Sequence, residues 1–142
     1  MNIDKVKLTM LEFLKKDDFA NSLGMEIIEL TPDYGYVRIP LKKQYLNPYD
    51  SMHGGILYSI ADIVAGTIGC LCGNYVSTIS GTLNYLEPAL NTTYVHCYVE
   101  KIREGKHILF FDVVLKNDDE TVLDKGTFSF FKLDKKVCEE PS

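Results

Sequence analysis

The chain has no tryptophan, no CxxC pair, only four cysteines and three histidines, and fewer basic than acidic residues. Each shortage excludes something. Fifteen Lys and Arg against twenty Asp and Glu give a net charge of −5 and a pI near 5.1. That argues against a nucleic-acid binder, which carries a basic domain or stripe. A small anionic ligand stays open, because one basic rim can sit on an acidic protein. Cys70, Cys72, Cys97 and Cys138 lack recognised zinc-ligand spacing, and grouping the first three with His96 does not supply one. They are expected to be inert or buried thiols in a reducing cytoplasm, with no metal. Asp4, Lys5, Lys7, Glu12, Lys15 and Lys16 interrupt every apolar run near the N-terminus, so no secretion signal is expected there and the expected location is cytoplasmic. Internal repeats and low-complexity tracts are absent as well.

What is present fits one soluble domain spanning residues 1–142. Hydrophobic residues are 46% and charged residues 25%, and sixteen Tyr and Phe favour strands over a purely helical bundle. Ile3, Val6, Met10, Phe13 and Leu14 recur at helical spacing, which predicts a helix over residues 1–20. Strands are expected at 25–30 and 36–41, joined by the turn Thr31 to Gly35. Residues 44–53 are irregular, and a helix follows. Four period-two segments then run over 76–85, 93–103, 108–116 and 122–133, before a polar, frayed tail at 134–142. Strand runs joined by tight turns imply an antiparallel sheet. The expected class is α+β, with one long helix cradled by a curved antiparallel sheet.

That helix organises the molecule. From Ile56 to Cys72 it is apolar or small except for Ser59, Asp62 and Thr67. It is long enough to raise a membrane span. Asp at the centre of such a span costs about 2.5–3.5 kcal/mol, and an all-round apolar helix also suits the core of a soluble fold. No membrane partner is therefore expected. Asp62 is a candidate general base, because a carboxylate on a mostly buried helix needs a partner or a purpose. Gly54 and Gly55 open the helix, and their N–H groups have no intrahelical acceptor. With the helix dipole they can hold an anion or a developing oxyanion. Eight residues separate Gly54 from Asp62, about 12 Å along the axis, too far for both to serve one carbonyl. Two antiparallel copies solve this, each placing its acid near the other's glycines, and the predicted state is a twofold dimer with shared sites. Ala61, Ala65 and Gly69 form a small-residue stripe that suits either helix–sheet packing or close approach of a second helix.

At these residues the sequence resembles the hot-dog-fold acyl-CoA thioesterases, in the branch typified by the phenylacetic-acid-degradation thioesterase, PaaI. The resemblance covers about Leu23 to Phe131 and rests on Asn47 through Gly55, Ile60-Ala-Asp62, and Ser80 through Pro88, which ends in Tyr-Leu-x-Pro. It implies a long central helix wrapped by an antiparallel sheet, in dimers and dimers of dimers. It implies acyl-CoA as substrate, hydrolysed to free acid and CoA, with no cofactor beyond that. Asp62 takes the role of catalytic acid, as general base on water or as nucleophile. Gly54 polarises the thioester carbonyl, Asn47 and His53 flank it, and Ser80 helps place the water, with Ser77 and Thr78 as lesser candidates. Gly55 and Thr78 fall within the substrate-binding set, and Arg103 and Lys106 are expected to meet CoA phosphates. The N-terminal helix is expected to cover one end of the acyl pocket, with Phe13, Tyr58 and Ile63 as liners. A non-catalytic acyl-CoA-binding or sensing module on the same fold is the alternative. A hot-dog hydratase is disfavoured, because its longer His–Asp motif is absent.

Overall fold

The computed structural model describes residues 1–138. The expected N-terminal helix is two helices, α1 (Ile3–Lys15) and α2 (Asp18–Ser22). The division falls at Asp17, whose extended backbone and side chain cap the second helix by accepting from Ala20 N–H at 3.1 Å. Strands β1 (Glu26–Leu30) and β2 (Tyr34–Pro40) follow, then a short 3₁₀ turn (Lys43–Tyr45) and the long helix α3 (Gly54–Cys70). The rest is β3 (Asn74–Tyr85), β4 (Tyr94–Glu104), β5 (Ile108–Lys116) and β6 (Val122–Lys136). The tail is therefore shorter than its polarity suggests: β6 runs on to Lys136, and Val137 is buried. The last four residues of the expected frayed tail lie outside the described residues. No described helix is long and apolar enough to cross a membrane.

The six strands form one antiparallel sheet in the order β1-β2-β4-β5-β6-β3. Its concave face wraps α3. Alternation decides which side chains meet the helix. On β6 these are Asp124, Gly126, Phe128 and Phe130; on β5 they are Leu109, Phe111, Val113 and Leu115, their register partners. All but Asp124 are apolar or glycine, and every one is buried. From α3 they meet Leu57, Ile60, Ala61, Val64, Ala65 and Ile68 in one core. The small stripe is resolved here against the second-helix alternative. Ala61 and Ala65 are fully buried, and a Cβ on Gly69 would touch Val76 and Phe111 at 3.1 and 3.7 Å. The stripe therefore lets the helix sink onto its own sheet. The exposed side of α3 carries Gly55 and half-buried Ser59, Asp62 and Gly66 instead.

One glycine is required outright. A Cβ on Gly126 would lie 1.8 Å from the Thr82 carbonyl oxygen and 2.8 Å from its carbon, both backbone atoms of the neighbouring strand. Gly126→Ala must push β3 and β6 apart, and the expected loss exceeds about 3 kcal/mol. A thermal melt should show a Tm lower by about 10 °C or more, and an unchanged Tm contradicts the close approach.

Candidate active site

The site begins at the α3 N-terminus. Tyr45 accepts from His53 N–H through its carbonyl at 2.9 Å, fixing the entry of the chain into the helix. His53 is the N-cap residue, with φ −53° and ψ 133°, and its side chain makes no capping hydrogen bond. Ile56 N–H and Leu57 N–H both donate back to the His53 carbonyl. The N–H groups of Gly54 and Gly55 find no acceptor among the described residues. The Gly54 carbonyl accepts from the Tyr85 hydroxyl at 2.8 Å, and the Tyr85 ring would lie 3.1 Å from a Cβ on Gly54. Tyr85 thus packs against the first turn of the helix and fixes its orientation.

Asn47 is held in a local turn rather than left free. Its carbonyl oxygen accepts from Tyr49 N–H at 2.8 Å and Ser51 N–H at 3.2 Å, and its amide donates to Ser51 Oγ at 3.0 Å. It shares with Gly54 the wall of an open cleft of about 350 Å³ that Tyr85, Pro88 and Asp124 also line.

Asp62 sits two turns further along α3, half-buried. It accepts from Thr78 Oγ1 at 2.7 Å. Together they border a different open cleft, of about 430 Å³, lined also by Met10, Phe13, Leu14, Ile63, Tyr75 and Phe130. Three of those side chains come from α1, so the N-terminal helix does wall the space in front of the acid. Of the expected acyl-pocket liners, Phe13 and Ile63 border this cavity. Tyr58 is not: it packs on Phe128 at 5.1 Å between ring centres and donates to the Gly81 carbonyl at 3.3 Å.

Within one chain Ser80 does not meet Asp62. A bulge between Thr78 and Ser80 leaves both residues opposite neighbouring positions of β6, Phe130 and Ser129. The extra residue reverses the alternation. Thr78 shares the helix-facing side with Phe130, whereas Ser80 points to the far side and lies 3.1 Å from Ser129 Oγ. The family resemblance favours Ser80; within one chain the bulge gives Thr78 the contact.

Arg103 and Lys106 stand at the β4–β5 end of the sheet, both exposed and in no ion pair among the described residues. Arg103 pairs with Phe110, Phe110 with Ser129, and Ser129 with Ser80. Three strand spacings, about 14 Å, therefore separate Arg103 from Ser80, and neither cation touches the Asp62 or Gly54 region.

The sequence reading missed Asp124. It is fully buried, neither carboxylate oxygen has a hydrogen-bond partner among the described residues, and burial pushes it up to about 7. The signal lay in the strand: counting back by twos from Phe130 and Phe128 puts Asp124 on the helix-facing side.

The comparisons with known proteins agree with this architecture. The Thioesterase superfamily model matches residues 49–123. The acyl-coenzyme A thioesterase PaaI of Escherichia coli is 26% identical over 107 residues, covering 75% of this chain and 76% of that one. A putative esterase of Saccharolobus solfataricus is 25% identical over 136 residues, covering 94% and 96%. The solved E. coli PaaI protein from the phenylacetic acid degradation operon superposes at a TM-score of 0.85 and 19% identity, over 92% of this chain and 98% of that chain. A hypothetical thioesterase of Streptococcus pneumoniae TIGR4, solved with coenzyme A, superposes at 0.80 and 24% identity, over 87% and 98%. The chain belongs to the thioesterase superfamily, as a PaaI-like member with the hot-dog fold.

Proposed function

We propose that the chain is an acyl-CoA thioesterase whose active site is shared between two subunits. The observation that carries this reading is the placement of Asp62: a carboxylate held by Thr78 at the mouth of an aromatic-lined cavity, on the exposed side of the helix whose N-terminus has two free N–H groups. Relatives point the same way, since a Streptococcus mutans protein of 20% identity was solved bound to acetyl CoA and the pneumococcal thioesterase with coenzyme A.

The chemistry follows from the two ends of α3. The thioester carbonyl oxygen sits at the Gly54 and Gly55 N–H groups of one subunit, where the helix dipole also favours negative charge. Asp62 of the partner subunit takes a proton from water as the water oxygen attacks the carbonyl carbon. The oxyanion collapses, the carbon–sulfur bond breaks, the thiolate leaves as CoA and is protonated, and the free acid remains. Thr78 orients the carboxylate. His53, exposed beside Gly54, flanks the carbonyl, and Asn47 shapes the loop that carries both glycines. Arg103 and Lys106 remain as cations for phosphates outside the cleft. Ser80 keeps a role only across the interface, from the far side of its strand.

Edge strand β3 supports the dimer. It is twelve residues long, pairs on one side only with β6, and exposes Ile79 at 51%. An unpaired edge of this kind is a template for a second copy. Light scattering should give a mass of twice, or for a dimer of dimers four times, 16.1 kDa; a 16.1 kDa species at working concentration contradicts a shared site.

A panel of acyl-CoAs read by free-thiol release tests the activity. Release from at least one member is expected, whereas ligand that binds without release supports the sensing module instead. On a cleaved thioester, Thr78→Val should lower kcat about 10- to 100-fold, since hydrogen bonds to charged groups contribute about 1.5–3 kcal/mol. Ser80→Ala should stay within about twofold if Thr78 alone orients the acid. The reverse pattern would assign the water-placing role to Ser80.

A further inference from the structure

Resting on that reading, we propose that the cavity beside Gly54 is a second subsite of the thioester cleft, in which Asp124 accepts a hydrogen bond from an N–H or O–H group carried near the substrate's carbonyl. The cavity of about 350 Å³ touches Gly54, so a carbonyl held by the helix N-terminus has one of its two arms beside it. Two of its polar side chains are already engaged, whereas the Glu87 carboxylate on its wall has no hydrogen bond among the described residues and the Gly54 N–H is left for the carbonyl. The Tyr85 hydroxyl donates to the Gly54 carbonyl, and the Asn47 amide donates to Ser51. Asp124 is engaged by nothing among the described residues.

The surroundings say what kind of partner it wants. Asp124 lies in a cross-strand row with Tyr85 on β3, Leu115 on β5 and Cys97 on β4. Leu57 of α3 and Ala89 line the cavity, and Glu87 stands on its wall. The titratable neighbours are therefore Tyr85, Glu87 and Cys97. The Cys97 thiol is pushed up to about 12 by burial and stays neutral. No Lys, Arg or His lines the cavity, so the chain itself offers no compensating cation. A buried carboxyl without a partner is expensive, and a hydrogen-bond donor on the ligand supplies what the fold leaves out. Such a donor favours the ionised carboxylate. Binding of donor-bearing thioesters should therefore strengthen as pH rises through about 7, where the free carboxyl titrates.

The donor can reside on either arm of the thioester, and substrate pairs separate the two. One pair is an acyl-CoA with and without a hydroxyl on the acyl group. The other is a thioester of N-acetylcysteamine against the same acyl group on pentanethiol, which lacks the amide. Asp124→Leu should raise KM at least tenfold for the donor-bearing member of one pair, leave its counterpart within about twofold, and keep kcat within about threefold. The pair that responds identifies the arm. Asp124→Asn keeps an acceptor of the same size without the charge. It should keep the preference but lose the wild-type fall in KM, about tenfold between pH 6 and pH 8 for a group titrating near 7. Equal KM changes in both members of both pairs, or a wild-type KM flat in pH, overturn the subsite. Asp62→Asn run in parallel keeps the two questions apart: near-full turnover in that variant defeats the general-base reading on which the subsite rests, whereas lost turnover with no Asp124 discrimination defeats the subsite alone.

Discussion

Asp62→Asn should lower kcat about 10³-fold while leaving the fold and the oligomer intact. A positioned general base contributes about 10²–10⁴ in rate, and a thousandfold loss is about 4 kcal/mol of transition-state stabilisation. The amide is the same size as the carboxylate and its oxygen still accepts from Thr78 Oγ1, so the local geometry has no reason to change. What is removed is the capacity to take a proton from water. The partner experiment removes the other half of the site. Gly54→Pro deletes one free N–H where the backbone suits proline, at the first residue of a helix, preceded by His53 at ψ 133°, which a following proline also prefers; the Tyr85 ring, 3.1 Å from the added Cβ, must shift by a few tenths of an ångström. Each variant alone should be nearly inactive. Mixed and allowed to exchange subunits, they should recover about a quarter of the native sites, because each mixed dimer rebuilds one of two. Full activity of Asp62→Asn on every cleaved thioester would end the general-base role. Failure of the mixture to recover activity, with mixed dimers shown to form, would place donor and acid in one chain.

Asp124→Asn should make the protein progressively more stable than wild type as the pH rises. The sign follows from the raised carboxyl. In the folded chain Asp124 titrates near 7 rather than 3.8, so the native state binds its proton more tightly than the unfolded state. Below about pH 4 both states are protonated and the group contributes no pH dependence. Between about pH 4 and 7 the unfolded chain ionises first, and native stability declines; above 7 the loss is complete. Its upper size is about 4 kcal/mol, at 1.36 kcal/mol per pH unit. The amide cannot ionise, so the Tm gap between variant and wild type should widen by about 10 °C from pH 4 to pH 8. Asp124→Leu should be the more stable at both ends, because it also removes the unpartnered polar group. Parallel Tm curves would mean that Asp124 ionises in the folded chain as readily as in water.

These two acids show how far the sequence could be read. Asp62 is legible because it interrupts a continuous apolar helix, where its chemistry contradicts its surroundings. Asp124 is hidden because it opens a strand beside Lys125 and after a polar turn, where an acid looks ordinary. Alternation back from Phe128 points it inward, and the register with Leu115 and Tyr85 fixes it there. The helix and all six strands were readable to within a few residues from periodicity. The division of α1 from α2 was not, since it depends on one capping carboxylate. The small stripe on α3 was visible, but period alone does not say whether a sheet or a second helix lies against it. The two cavities were beyond reach for the same reason: each is lined by segments far apart in the chain.

The bulge at Ile79 carries a consequence for the whole edge strand. It works like a frameshift in a two-letter message, inside and outside. Upstream, even-numbered residues such as Thr78 read toward the helix; downstream, the odd-numbered Gly81, Leu83 and Tyr85 do. Removing Ile79 would bring the two halves into a single phase, with Thr78 still opposite Phe130 and facing the acid and Ser80 still opposite Ser129 on the far side.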